Sequence, residues 1–174
     1  MNIYFVLNIP PPFCDRVIDV RRSQKDTFFA SLPAEITIAG SNGVGLLDAS
    51  QSLVEAYAII DRIAEDTAPI ETGFGRVVRF PNTDVFALTL ENEAPFRTLH
   101  QRVAKSGIRF HDSPHAFQPH CTLRTRSPVS AADERTLLAV RVPGRFTLDA
   151  LSVCRLDRPP VTLLHTAPLA KRGA

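Results

Sequence analysis

Two similar short stretches, which lie about half a chain length apart, constrain the fold more than any other feature of the sequence. Residues 32–38 read LPAEITI, and residues 118–124 read QPHCTLR. Each stretch has a proline followed by the pattern polar-x-Thr-apolar, which is typical of a short strand with one buried face. Because each half of the chain contains one copy, we predict an internal duplication in which each half contributes one strand to a shared cleft.

The alternation of side chains along a strand predicts which residues line that cleft. Glu35 and Thr37 share one face of the first stretch, and His120, Thr122 and Arg124 share one face of the second. Imidazole, hydroxyl and guanidinium groups are all able to bind a phosphate group. The opposite faces carry apolar residues that can pack on a core, namely Ile36, Ile38, Cys121 and Leu123.

The His-x-Thr-apolar sequence that begins at His120 resembles one half of the paired motif of the two-histidine phosphoesterases. That superfamily includes the bacterial RNA 2′,5′-ligase-like proteins and the cyclic phosphodiesterases. The resemblance extends over nearly the whole chain, since the length, the order of elements and both motif positions fit. The chain departs from the family pattern in the first motif, where Glu35 stands at the position of the other histidine.

The resemblance implies an activity and a role for each motif residue. One histidine of the family accepts a proton from the attacking oxygen, the other donates one to the leaving oxygen, and no metal or cofactor takes part. Carried over by position, His120 and Glu35 are the candidate catalytic residues. Thr37 and Thr122 are the candidate phosphate-binding residues, and the strand alternation adds Arg124. The implied substrates are 2′,3′-cyclic phosphates or 2′,5′-linked RNA or nucleotides.

The carboxylate at position 35 predicts a weakened or altered activity. An ordinary glutamate, with a pKa of about 4.3, is a weaker base than imidazole at neutral pH. An ionised Glu35 also repels a phosphate, at a cost of about 3–4 kcal/mol for a separation of roughly 4–5 Å and an effective dielectric of about 20. The alternative prediction is therefore a catalytically silent module of the same fold that binds a nucleotide or an RNA end.

The motif residues also have structural interpretations that the sequence leaves open. His120 can be an ordinary strand histidine, threonine is common in strands, and glutamate is mostly exposed. His111 and His115 precede His120, but these spacings belong to a loop and not to one helix face, so we predict no metal site. Tyr4 and Phe80 can stack on a base, with core packing as the default for both.

The remaining pattern predicts an α+β fold with two pseudo-symmetric lobes, in which antiparallel-rich sheets face a central cleft and helices lie outside. Strands are expected at 2–9, 35–39, 68–80, 84–90, at the His120 stretch, and at 145–155 and 160–167. Helices are expected at 13–30, after Ser52, after Pro95 and after Ser130. Because hairpins occur beside the helices, a parallel doubly wound sheet is disfavoured. We predict one domain over residues 1–174.

Composition limits the partners and the compartment. The 174 residues are 44% hydrophobic and carry a net charge of +2, which permits a phosphate ligand but does not predict non-specific duplex binding. Three widely spaced cysteines predict no disulfide framework and favour a reducing cytoplasm. With no signal peptide and no long apolar run, we expect no membrane partner. The predicted partner is an RNA terminus or a small phosphorylated nucleotide.

Overall fold

Eight strands form two antiparallel four-stranded sheets in the computed structural model, which describes residues 2–170. In chain order the strands are β1 (Ile3–Asn8), β2 (Glu35–Ala39), β3 (Ile70–Arg79), β4 (Phe86–Leu90), β5 (Cys121–Arg124), β6 (Arg145–Leu148), β7 (Ala150–Arg155) and β8 (Thr162–Pro168). The first sheet has the order β2-β1-β7-β8, and the second has the order β5-β4-β3-β6. The two motif stretches therefore supply β2 and β5, and each is an edge strand of its own sheet.

Within residues 2–170, five helices connect and cover these sheets. They are α1 (Phe13–Ser23), α2 (Thr27–Ala30), α3 (Leu53–Glu65), α4 (Ala94–Ala104) and α5 (Ala131–Ala139). The Ser52 hydroxyl accepts a hydrogen bond from the Glu55 amide at the start of α3, as the sequence predicts. The predicted helix over 13–30 is interrupted because Lys25 adopts a left-handed backbone with φ of 56° and Asp26 caps α2 through the Phe29 amide.

Strand β1 separates the main core from the side of the sheet that carries the cleft. Ile3, Phe5 and Leu7 belong to the main hydrophobic core that the two sheets share. Tyr4 and Val6 point to the other face, where they form a small cluster with Cys154. Because β1 is covered on both faces, its residues from 3 to 7 are buried, and it pairs with the neighbouring β2.

The edges of the two sheets meet at the motif strands. β2 pairs with β1, β5 pairs with β4, and β2 also contacts β5. This arrangement confirms the predicted α+β architecture with two lobes and antiparallel sheets. One predicted strand, at 145–155, is instead divided at Asp149 into β6 and β7, which belong to different sheets. Within residues 2–170, no helix combines the length and the apolar character that crossing a membrane requires.

Candidate active site

A cleft of about 280 Å³ lies where the two motif strands meet. Glu35 and Thr37 line it from β2, and His120 and Thr122 line it from β5 and the residue that precedes β5. All four side chains are partly buried. Four of the five residues that the sequence pattern selects are thus brought together on one surface.

His120 is held in one tautomer by its own backbone. Its Nδ1 lies 2.6 Å from the Gln118 carbonyl oxygen, so Nδ1 carries the proton and donates it, and Nε2 is left as the acceptor nitrogen. The Phe80 ring packs edge-on against the imidazole at a centroid distance of 4.9 Å. Burial lowers the pKa of His120, while the Gln118 contact opposes that effect. The imidazole is therefore neutral near pH 7 and able to accept a proton.

Glu35 is a buried carboxyl group with unusual proton affinity. Burial raises its pKa from 4.5 to about 7, even though the Arg21 cation and the Tyr4 hydroxyl both favour the ionised form. Its Oε2 is buried and has no hydrogen-bond partner among residues 2–170. The ordinary carboxyl pKa that the sequence suggests is wrong for this residue, and so is the alternative of a solvated strand-end carboxylate. Near neutral pH, Glu35 exchanges a proton in the range where imidazole usually does.

Arg21, which sequence reasoning missed, holds the two motif strands together from behind the cleft. It is 1% exposed, and its Nε and one terminal nitrogen donate to the Thr122 carbonyl at 3.0 and 2.8 Å. The other terminal nitrogen donates to three carbonyls that lead into β2, those of Phe29, Leu32 and Pro33. One signal was present in the sequence, because Arg21 lies one helical turn after Val17 on the buried face of α1.

Arg124 corrects the sequence prediction, because it does not line this cleft. The pairing of β5 with β4 shifts between the partners of Thr122 and Arg124, and this β-bulge breaks the alternation on which the prediction depended. The buried guanidinium donates instead to the carbonyls of Gln24, Arg126 and Pro128. Arg124 therefore ties β5 to the end of α1.

Aromatic and aliphatic groups form the rest of the cleft wall. Tyr4 lies beside Glu35, and burial together with the charge of Glu35 raises the pKa of its hydroxyl, which stays protonated. Phe28 and Phe29 on α2 pack edge to face at 5.6 Å, and Phe28 remains 49% exposed at the cleft. Leu46 and Leu156 complete this side. The site thus combines a polar floor that can hold a phosphate with an apolar wall that can hold a planar group.

The comparisons with known proteins agree with this arrangement. The family model described as the 2′-5′ RNA ligase superfamily matches residues 9–160, a region that includes both motif strands. The chain belongs to the 2′-5′ RNA ligase superfamily. In the first motif strand, Glu35 occupies the position at which the His-x-Thr resemblance predicts the other histidine.

Solved structures share the fold of this superfamily member. The structure of TT0787 of Thermus thermophilus superposes with a TM-score of 0.68 at 18% identity, covering 97% of this chain and 98% of that one. Apo LigT of Escherichia coli gives 0.59 at 17% identity, with 97% and 96% covered. LigT complexed with 3′-AMP gives 0.56 at 17% identity, with 97% of each chain covered. A comparison with curated proteins found no match.

Proposed function

We propose that this superfamily member is a phosphodiesterase that opens a 2′,3′-cyclic phosphate, or cleaves a 2′,5′ linkage, at an RNA end or in a nucleotide. The observation that carries the proposal is that Glu35, a buried carboxyl with a pKa of about 7, shares one cleft with a neutral His120. General acid–base catalysis needs two groups in opposite protonation states near the working pH. Glu35 and His120 meet that requirement without a second histidine.

The roles of the two groups follow from their preferred protonation states. His120 takes a proton from water on Nε2, because Nδ1 already donates to Gln118. The water oxygen forms a bond to phosphorus, and one ring P–O bond breaks. Protonated Glu35 donates its proton to the departing ribose oxygen, and the Thr37 and Thr122 hydroxyls donate hydrogen bonds to the non-bridging oxygens. The product is a phosphomonoester, and one proton then passes from His120 to Glu35 through solvent.

The burial of Glu35 also removes the main objection to a carboxyl group at this position. A protonated Glu35 is neutral and does not repel the phosphate, so the cost of about 3–4 kcal/mol that applies to a carboxylate does not arise. A bound phosphate raises the pKa of Glu35 further, because like charges disfavour ionisation. Binding of substrate therefore favours the protonated form that the reaction requires.

The nucleoside part of the substrate is proposed to lie against the apolar wall. Phe28 has an exposed ring at the cleft. Any of the nucleobases can stack on such a ring, because every base has a π-face. Asn2 and Ser41 also line the cleft and supply polar groups beside the apolar wall. This division of polar and apolar surface fits a nucleotide better than inorganic phosphate.

The test is hydrolysis of a 2′,3′-cyclic mononucleotide without added metal and with a chelator present. We expect turnover by the wild type and a loss of about 10²–10⁴ in rate for His120→Ala and for Glu35→Gln. Glu35→His, which restores the family pattern, should remain active. Full activity of His120→Ala would contradict the proposal.

The departure from the family pattern at Glu35 favours a second candidate function, a binding module that recognises a nucleotide or an RNA end without turnover. The same experiment separates the two. If only Glu35→His hydrolyses the substrate, the cleft has kept its phosphate-binding groups and lost its acid. In that case wild-type protein should still bind 3′-AMP in calorimetry, and Thr122→Val should weaken that binding.

A further inference from the structure

A second cavity, of about 320 Å³, lies at the ends of the two elements that form the back of the cleft. Arg21 of α1 and Thr122 of β5 line the cleft, whereas Gln24 and Lys25, just beyond α1, line the second cavity together with Arg124 at the end of β5. We call this cavity the basic groove. Thr122 and Arg124 are two strand residues apart, about 7 Å, which is a distance that one nucleotide spans.

The groove is lined by basic residues that come from separate parts of the sequence. Among the residues that line the groove, Lys25, Arg124 and Arg126 are basic and Asp133 is the one acidic residue. The Ser130 hydroxyl donates to that carboxylate at 2.9 Å and accepts a hydrogen bond from the Asp133 amide. Lys25 and Arg126 are both exposed, and one terminal nitrogen of Arg126 donates to the Lys25 carbonyl at 3.1 Å. The groove lining thus carries three cations and one carboxylate, which is an excess of positive charge.

One buried side-chain oxygen in the groove, that of Gln24, has no hydrogen-bond partner among residues 2–170. Gln24 is only 7% exposed, and its side-chain oxygen is buried without a hydrogen bond among the described residues. Burying a polar atom in this way is costly unless something binds it. A ribose hydroxyl or a base amino group is able to donate to this oxygen, while the neighbouring cations bind a phosphate.

We propose that the basic groove binds the neighbouring nucleotide of an RNA end, with its phosphate on Lys25 and Arg126 and its sugar or base on Gln24. The inference rests on the proposed function of the cleft and narrows its substrate class from any cyclic nucleotide to an oligonucleotide. Arg124 supports the groove by fixing the carbonyls of Gln24, Arg126 and Pro128.

The test compares a dinucleotide that ends in a 2′,3′-cyclic phosphate with the matching cyclic mononucleotide. The double variant Lys25→Asn/Arg126→Gln removes both exposed cations, and asparagine tolerates the left-handed backbone at position 25. We expect wild-type kcat/KM to be about tenfold higher for the dinucleotide. The double variant should lose that preference and keep its kcat/KM for the mononucleotide. Gln24→Met should lower the preference without changing the charge.

Salt dependence and a charge-matched control variant test whether the dinucleotide preference comes from contacts in the groove or from the net positive charge of the protein. Arg62→Gln/Lys105→Asn removes the same charge from residues that line neither the cleft nor the groove. It should retain the dinucleotide preference. For the dinucleotide, kcat/KM of the groove variant should depend less steeply on salt. The slope of log kcat/KM against log salt should become less negative by about 0.7, the value for one phosphate contact on a single strand.

The remaining outcomes test the proposed binding in the groove separately from the proposed reaction in the cleft. If wild type uses both substrates equally, or if the groove and control variants lose the dinucleotide preference equally, the proposal of nucleotide binding in the groove is wrong. The proposed hydrolysis in the cleft would still stand. If neither substrate is turned over, binding of a fluorescent dinucleotide 3′-phosphate is measured instead. Weaker binding by the groove variant then supports the groove although the proposed reaction has failed, and unchanged binding overturns it.

Discussion

Residue 35 shows how an environment can give one side chain the chemistry of another. The His-x-Thr resemblance predicts an imidazole at this position, and the chain supplies a carboxyl group whose pKa burial raises to about 7. His120 is shifted in the opposite sense, since burial lowers its pKa. The two shifts therefore favour a protonated Glu35 beside a neutral His120 near neutral pH, which are the opposite protonation states that an acid–base pair needs.

The pH dependence of kcat/KM tests this pairing. With His120 as base, activity should rise with pH through the lowered pKa of His120, below 6.5, and with Glu35 as acid it should fall above about 7. The expected profile is a bell whose maximum lies between those values. Glu35→Gln should lose the falling limb together with most of the rate. A wild-type plateau that extends to pH 9 would show that Glu35 is not the proton donor.

At the scale of elements, the sequence was sufficient to locate the two motif strands and most of their neighbours. Alternation along β2 and capping at Ser52 are local signals, and the structure follows both. Arg124 could not be placed because a β-bulge depends on how β5 pairs with β4, which no local pattern contains. The raised pKa of Glu35 was hidden for a similar reason, since burial comes from distant parts of the chain.

Because Arg21 connects the two motif strands, we expect even a conservative substitution of this residue to lower the free energy of unfolding strongly. Arg21 donates to carbonyls on both sides of the cleft, and a lysine has neither the planar fork nor the number of donors to replace it. Arg21→Lys should lower the free energy of unfolding by about 2–4 kcal/mol, because buried carbonyls lose their partners. Arg22→Lys, on the exposed neighbour, should change it by less than about 0.5 kcal/mol in the same urea titration.

For the whole molecule, the burial of Glu35 lowers the free energy of unfolding by an amount that depends on pH. The pKa of Glu35 is about 4.5 when the chain is unfolded and about 7 when it is folded. Between those values the unfolded chain has released this proton and the folded protein has kept it. Since the folded state then binds more protons, a rise in pH destabilises it. The cost is absent below pH 4.5 and complete above pH 7, where it reaches about 3 kcal/mol.

Glu35→Gln removes this titration and keeps the shape of the side chain. The variant should therefore be more stable than the wild type, by a margin that grows by about 2–3 kcal/mol between pH 5 and pH 8 in urea denaturation. Asp19→Asn, which removes an exposed carboxylate from α1, should differ from the wild type by less than about 1 kcal/mol at either pH. A margin for Glu35→Gln that does not change with pH would mean that the carboxyl is solvated. The same result would withdraw the proton donor from the proposed reaction, because both depend on the burial of one group.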